Sequence, residues 1–221
     1  MPRVAAIIVA AGAGRRFGSA KQFATLRGKP LVEWSLAAFE SHPGVADIVL
    51  VLPETELPSG LGRAYPKVRA VVPGGKERQD SVRQGFARLD RGAVDVVLVH
   101  DGVRPLVGAD LISRVIDAAA SAGAAAPGLA LDETIKEVEG SVIRRTIDRT
   151  TLVRVQTPQG FTFAVLEEAL ASALCRDFRG TDEAMLVEQM GRPVALVPGE
   201  ARNLKVTTPL DLKLAEALIE V

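Results

Sequence analysis

A glycine-rich stretch, Ala10-Ala11-Gly12-Ala13-Gly14-Arg15-Arg16-Phe17-Gly18, directly follows the apolar run Val4 to Val9, and Lys21 comes shortly after it. Small residues there let backbone N–H groups approach a phosphate closely, and Arg15, Arg16 and Lys21 bring cations to the same loop. Phosphoryl and nucleotidyl transfer need this combination, because negative charge builds on the α-phosphate oxygens and on the departing pyrophosphate. Two familiar phosphate loops are excluded. The third glycine of a G-x-G-x-x-G fingerprint would fall on Phe17, and no G-x-x-x-x-G-K-[ST] loop occurs. The plainer alternative is a strand-to-helix turn with solvated arginines.

A second candidate, Val99-His100-Asp101-Gly102-Val103-Arg104-Pro105, closes another apolar run. Open α/β sheets bind ligands off the carboxyl ends of their strands. Asp101 is placed there to hold Mg²⁺, a hard cation that takes one or two carboxylates plus substrate phosphates. Arg104 would pair with a phosphate. Alternatively, Asp101 stabilises a turn and Arg104 is its ion-pair partner. His100 precedes Asp101 on the strand, so it points to the opposite face and is expected to make a structural hydrogen bond. His42, beside Pro43-Gly44, reads as a solvent-facing loop residue. The loop Pro73-Gly74-Gly75-Lys76-Glu77-Arg78-Gln79-Asp80-Ser81 suits a base held through backbone groups, with Ser81 as a hydroxyl partner or a helix cap. Asp148-Arg149, Gln156-Thr157-Pro158-Gln159 and Asn203-Leu204-Lys205-Val206-Thr207 carry further polar groups, which charge alone does not separate from surface solvation.

These loops need a scaffold. Apolar, β-rich runs at Val4 to Val9, Ile48 to Leu52, Val68 to Val72, Val94 to Val99, Ala124 to Leu131 and Val194 to Val197 read as strands buried on both faces. Amphipathic stretches at Leu31 to Glu40, Ser81 to Leu89, Leu111 to Ala122 and Phe163 to Leu174 read as crossover helices. The alternation predicts an α/β fold: an open, mostly parallel twisted sheet with helices on both faces. Thr208-Pro209-Leu210-Asp211 supplies a cap, a proline and an acid for a last helix over Leu210 to Ile219. Thr134 to Glu139 and Ser141 to Ile147 flank Gly140 as a β-hairpin, too polar and thin to bury itself. It is predicted to be an arm, near residues 133–150, used for dimerisation.

The chain has 221 residues, 27 Lys+Arg against 27 Asp+Glu, and Cys175 as its one thiol. The length predicts a single domain over 1–221. Balanced charge excludes the broad basic field of a general nucleic-acid binder. One cysteine, read as an apolar helix position, excludes an internal disulfide, and the N-terminal apolar run falls short of the roughly 20 residues of a membrane span. A cytoplasmic protein without membrane or nucleic-acid partners is predicted. Few aromatic anchors argue against an interaction-only protein.

Taken in order, A-A-G-x-G-R-R-x-G, Lys21-Gln22, G-G-x-E-R-x-D-S, V-H-D-x-x-R-P, T-P-Q and N-x-K-V-T resemble the 2-C-methyl-D-erythritol 4-phosphate cytidylyltransferase family over residues 7–207. The resemblance implies a nucleotidyltransferase sheet with a β-arm that clasps a second subunit. It implies that CTP and methylerythritol phosphate give a CDP-linked methylerythritol and pyrophosphate, a step of non-mevalonate isoprenoid synthesis. Carried over by position, Arg16 and Lys21 would stabilise the transition-state charge, while Ala10, Ala11, Gly12, Ala13, Gly14, Gly75 and Ser81 would contact the nucleotide. Asp101 would bind nucleotide and Mg²⁺. Arg149 and Lys205 would position the sugar phosphate, with Arg104, Thr134 and Thr157 assisting, and Thr134 and Arg149 would reach the partner's site. Four positions depart from the family pattern: Lys76 stands where Asp is common, Gly102-Val103 where Ala-Ala is, and Arg202 where an acid is.

Rival readings share parts of this pattern. A ribitol 5-phosphate cytidylyltransferase would differ around Thr134, Arg149 and Lys205. A non-catalytic CTP-binding module would require loss of a catalytic charge, yet Arg16, Lys21 and Asp101 are all present. A nicotinamide-dependent oxidoreductase needs an acid at the end of its second strand, and the acid at that distance, Glu33, falls in a predicted helix.

Overall fold

A computed structural model describes residues 2–12 and 20–219 of the chain. Its elements, in order, are β1 (Val4–Val9), β2 (Thr25–Leu26), β3 (Lys29–Pro30), α1 (Leu31–Ser41), β4 (Val45–Leu52), β5 (Val68–Pro73) and α2 (Arg78–Phe86). Then come β6 (Val96–Asp101), α3 (Ala109–Ala122), β7 (Ala124–Ala130), β8 (Ile135–Glu139), β9 (Val142–Ile147), β10 (Val153–Val155) and β11 (Gln159–Thr162). The chain closes with α4 (Phe163–Cys175), α5 (Glu183–Glu188), β12 (Ala195–Pro198) and α6 (Pro209–Leu218).

The main sheet runs β10-β7-β11-β6-β1-β4-β5, with β12 also paired to β7. β6, β1, β4 and β5 are mutually parallel, as is β12 with β7, whereas β11 is antiparallel to both β6 and β7. Alternation along β1 sets the two layers. Ala6 and Ile8 face α1 and α3 through Leu36, Phe39 and Val115, while Ala5 and Ile7 face α2, α4 and α5 through Val82, Leu166 and Leu186. Burial on both faces explains why the central strands are apolar at nearly every position. The outer strands are less buried than their composition predicts: of β5 only Val72 is fully enclosed, and β12 is half exposed, because each has a neighbour on one side.

Several expectations shift. The second crossover helix starts at Arg78, three residues before Ser81, because Glu77 and Asp80 form a reciprocal capping box. Ser81 is not the cap. β11 fills the place between β6 and β7, where the Thr157-Pro158-Gln159 run gives no apolar signal. His42 is buried, not solvent-facing: its Nδ1 accepts the Gly44 N–H at 3.1 Å and its Nε2 lies 3.0 Å from Ser113 Oγ. Cys175 ends α4 with its surface exposed. Thr208 and Asp211 cap α6 reciprocally with Pro209 in the first turn.

The hairpin β8–β9 stands apart from the main sheet as its own two-stranded ribbon. Gly140 makes its turn with φ +59°, a conformation glycine adopts without Cβ strain. Cross-strand pairs Glu137–Arg145 and Glu139–Arg144 decorate it, and Val138, Val142 and Ile143 remain about three-fifths exposed. Among the described residues no helix is long and apolar enough to cross a membrane.

Candidate active site

The chain runs β1, α1, β4, β5 outward on one side and then returns through α2 to β6 on the other side of β1. This reversal opens a crevice at the carboxyl ends of β1 and β6, where Val9 and Asp101 are register partners. A pocket of about 300 Å³ occupies it, walled by Ala10, Ala11, Gly12 and Lys21, by Gly75 to Arg78 with Ser81, and by Asp101 and Lys205.

Each wall has a local cause. The Ala10 N–H donates to the Val51 carbonyl at 2.8 Å, which continues the ladder into the first loop. Gly74 lies so close to that loop that a Cβ would meet Ala11 Cβ at 2.2 Å. A Cβ at Gly75 would meet Asp80 Cβ at 2.3 Å, so the glycine pair is a packing requirement. Ser81 Oγ accepts the Gly75 N–H and donates to the Glu77 carbonyl, both at 3.1 Å, and so buttresses the second loop. Gly12 differs, since among the described residues a Cβ there meets nothing within 4 Å. Gly102 lies beneath Ala10, where a Cβ would come within 2.9 Å of Ala10 Cβ, which accounts sterically for glycine at this departure.

Asp101 is 6% exposed and surrounded by cations. Arg78 Nε donates to Oδ1 at 2.9 Å, Lys205 Nζ to Oδ2 at 2.7 Å, and Arg104 Nε stands 3.9 Å from Oδ2. Burial pushes the Asp101 carboxyl up, but Arg78, then Lys205 and Arg104, outweigh it and hold the group far below the usual carboxylate range. Arg78 reaches across to α5, donating through Nη1 to both Glu183 oxygens at 2.8 and 2.7 Å. Burial raises the Glu183 carboxyl and Arg78 counters it.

Lys205 is aimed by its neighbours. The Val206 N–H donates to the Val103 carbonyl at 2.9 Å, Arg104 Nη1 to the Asn203 carbonyl at 2.8 Å, and Asn203 Nδ2 to the Thr157 carbonyl at 2.8 Å. Thr157 Oγ1 accepts the Asp101 N–H at 3.1 Å and lies 3.2 Å from His100 Nδ1. His100 Nε2 lies 3.3 Å from the Arg104 carbonyl, an obligate acceptor, so Nε2 carries the proton and Nδ1 accepts from Thr157. Burial holds the imidazole down to about 3, against a smaller opposing pull from Asp101, which keeps it neutral at pH 7. The structural hydrogen bond expected of His100 is therefore present.

The sequence-predicted residues divide into groups. Ala10, Ala11, Gly12, Lys21, Gly75, Ser81, Asp101 and Lys205 meet around one pocket. Arg104 and Thr157 border a smaller adjoining pocket of about 140 Å³, which shares Arg78, Asp101 and Lys205 with the first. Their polar atoms named above bind Asn203, His100 and the Asp101 backbone, so both residues position the site. Thr134 and Arg149 lie on the exposed arm side and line neither pocket, with Arg149 Nη1 donating to the Asp132 carbonyl. Ala13, Gly14, Arg15 and Arg16 fall outside the described residues. Arg78 and Glu183 were missed by residue-level reading. The signal for Arg78 was its place in G-G-x-E-R-x-D-S at the first turn of α2; nothing local marks Glu183, 105 residues away.

Among the described residues no cluster of three or more His, Cys, Asp or Glu side chains forms a self-sufficient metal cage. One ionised carboxylate on the floor of an open pocket fits a hard cation that completes its shell with water and phosphate oxygens. Glu33, the acid a nicotinamide site would need, sits in α1 and accepts the Tyr65 hydroxyl at 3.0 Å.

The family described as "IspD: 2-C-methyl-D-erythritol 4-phosphate cytidylyltransferase" matches residues 4–221. A protein of that name from Syntrophotalea carbinolica is 42% identical over 97% of this chain and 95% of its own. The crystal structure of the Thermus thermophilus 2-C-methyl-D-erythritol 4-phosphate cytidylyltransferase superposes with a TM-score of 0.82 at 41% identity, covering 99% of this chain and 98% of that one. The Francisella tularensis structure of the same name gives 0.87 at 28% identity over 98% of this chain and 100% of its own. The open sheet, the crevice at its reversal and these likenesses lead to one assignment: the chain belongs to the 2-C-methyl-D-erythritol 4-phosphate cytidylyltransferase family.

Proposed function

We propose that this protein transfers the cytidylyl group of CTP to 2-C-methyl-D-erythritol 4-phosphate, releasing pyrophosphate, in isoprenoid synthesis by the non-mevalonate route. The observation that carries the reading is the pocket itself, where Lys205 and Arg78 converge on Asp101 and Lys21 lines the wall beside two glycine loops. CTP lies along Ala10, Ala11 and Gly12, its base toward Gly75 and Ser81. No described residue fills the space that a side chain at Gly12 would take, and the nucleotide lies there.

An oxygen of the acceptor phosphate attacks the α-phosphorus. The new P–O bond forms as the bond from that phosphorus to the β-phosphate bridging oxygen breaks, and pyrophosphate leaves with the electron pair. No general base is needed, because the attacking phosphate is already ionised near neutral pH; positioning and charge stabilisation supply the rate. Lys21, with Arg16, offsets charge on the α-phosphate and leaving group. Lys205 and Arg149 hold the acceptor phosphate in line, and Arg104 and Thr157 keep Lys205 and Asp101 in place. Asp101 would hold a Mg²⁺ ion together with triphosphate oxygens, and the ion supplies Lewis-acid neutralisation of phosphate charge.

The arm supports a homodimer. Its exposed Val138, Val142 and Ile143 form apolar surface on a ribbon that two strands alone stabilise poorly, and a second copy covers such surface. Thr134 and Arg149, which line neither pocket of their own chain, then serve the partner's. The reaction is placed in the cytoplasm, in keeping with a chain whose single thiol forms no disulfide.

The test is pyrophosphate release with Mg²⁺ and each of the four ribonucleoside triphosphates, against methylerythritol phosphate and ribitol 5-phosphate, with Arg16→Ala as control. Release with CTP and methylerythritol phosphate, lost in the variant, is the expected result. Release with ribitol 5-phosphate instead moves the protein to another acceptor, and none with any pair leaves a CTP-binding module.

A further inference from the structure

Arg78 spans two buried acids. Nε holds Asp101 Oδ1 at 2.9 Å, while Nη1 sits across both Glu183 oxygens at 2.8 and 2.7 Å. Glu183 is 1% exposed, and its carboxylate contacts join α5 to the first turn of α2. Arg78 borders both the nucleotide-side pocket and the smaller adjoining one. Its Nη2 is shielded from solvent and has no hydrogen-bond partner among the described residues. A charged donor left unsatisfied is costly, and in native proteins such atoms collect where function sets the geometry.

We infer that Arg78, clamped by Glu183, is a positioning residue that fixes the Asp101 carboxylate with Oδ1 occupied and Oδ2 presented to Lys205 and to the metal-bound triphosphate. The argument is geometric. A carboxylate at the end of a strand rotates about its terminal bond, and a lysine ammonium on a flexible stem does not fix that rotation. A planar guanidinium does, provided that it is itself held. The contacts to Glu183 hold it, so the orientation of Asp101 is set before any ligand arrives, which is the preorganisation that electrostatic catalysis requires. A simple staple between α2 and α5 would need Glu183 and Arg78 alone, with no contact to Asp101.

The inference rests on the assignment of Asp101 to the metal-nucleotide site. Its test uses the double variant Arg78→Gln/Glu183→Gln, which removes both charges and leaves neither buried alone. Calorimetric CTP affinity is measured in EDTA and in Mg²⁺ without acceptor, alongside turnover. The expected result is an affinity in EDTA within about threefold of the parent, loss of most of the affinity gained on adding Mg²⁺, and a kcat lower by about 100-fold. Added to Asp101→Asn, the double substitution costs less than about threefold further in kcat, because it acts through that carboxylate. A parental gain with Mg²⁺, a kcat within about threefold of the parent, or an additive loss in the Asp101→Asn background overturns the inference. If the double variant does not fold, Arg78→Lys replaces it under the same criteria, since an ammonium keeps the charge but not the fork. A parent that gains no CTP affinity from Mg²⁺ overturns the assignment of Asp101 instead.

Discussion

Replacing His100 with glutamine tests how the floor of the site is built. The ring is fully buried, packs 4.9 Å from Phe39 and links Thr157 to the Arg104 carbonyl, and burial holds its ionisation down to about 3. In the unfolded chain it titrates near 6.5. The unfolded state therefore binds more protons between those two values, so stability is complete above about 6.5 and falls as the pH drops toward about 3. Integrating the linkage relation from pH 7 to pH 5 gives a loss of about 2 kcal/mol from this group. At pH 7 the variant is expected to be less stable by roughly 1–3 kcal/mol, through lost packing and hydrogen bonds. At pH 5 that gap should shrink by about 2 kcal/mol, because glutamine does not titrate. His42, also lowered chiefly by burial, and Glu183, raised by it, act in both proteins and cancel in the difference. Urea unfolding midpoints of both proteins at the two pH values measure it, and a gap that stays constant refutes a neutral, buried His100.

The remaining predictions concern the pocket and the arm. Lys205→Met removes the ammonium 2.7 Å from Asp101 and should lower kcat/KM for the acceptor by roughly 100- to 1,000-fold, with the fold retained because the side chain is 37% exposed; a loss under about tenfold in steady-state kinetics contradicts its role. Gly12→Ala, whose Cβ meets nothing within 4 Å among the described residues, should keep the urea midpoint and weaken CTP binding, whereas Gly74→Ala, with its Cβ 2.2 Å from Ala11 Cβ, should lower both. Equal CTP affinity for Gly12→Ala and the parent by calorimetry counts against a nucleotide above that loop. If the arm completes the partner's site, inactive Arg149→Ala and Lys205→Met subunits, unfolded and refolded together, should regain about one quarter of parental activity, the share of sites drawing both intact residues from a random mixture. No recovery argues that each chain acts alone.

The central strands were legible because burial on both faces leaves an uninterrupted apolar run, as in Val4 to Val9. Gly12, Gly75 and Asp101 were legible because they sit where such runs end, and a parallel sheet directs those ends to one edge. What was hidden depends on distant partners. β11 carries a proline and two polar residues at its entry, and it becomes a strand only because β6 and β7 leave room for it. His42 follows a helix and precedes Pro43-Gly44, a surface pattern, and its burial comes from Ser113 on α3. The start of α2 was misplaced because Glu77 caps it in place of the more usual serine or threonine. Nothing local in the sequence pairs Arg78 with Glu183, which only the packing of α5 against α2 brings together.

The charge arrangement also explains why so polar a cluster is stable without ligand. An ionised carboxylate as buried as Asp101 is tolerated only when paired and hydrogen-bonded, and here Arg78, Lys205 and its own strand environment meet that condition. The two fixed acids, Asp101 and Glu183, share Arg78, so the cations of Lys205 and Arg104 are not needed to balance Glu183. Lys205 combines a flexible stem with an exposed flank, whereas Arg104 is held to the Asn203 carbonyl and Arg78 to Glu183. An incoming phosphate can therefore draw Lys205 away while Asp101 keeps a fixed partner. If Lys205 meets the acceptor phosphate as proposed, the Arg78 guanidinium, held by Glu183, remains against Asp101 to keep its carboxylate ionised.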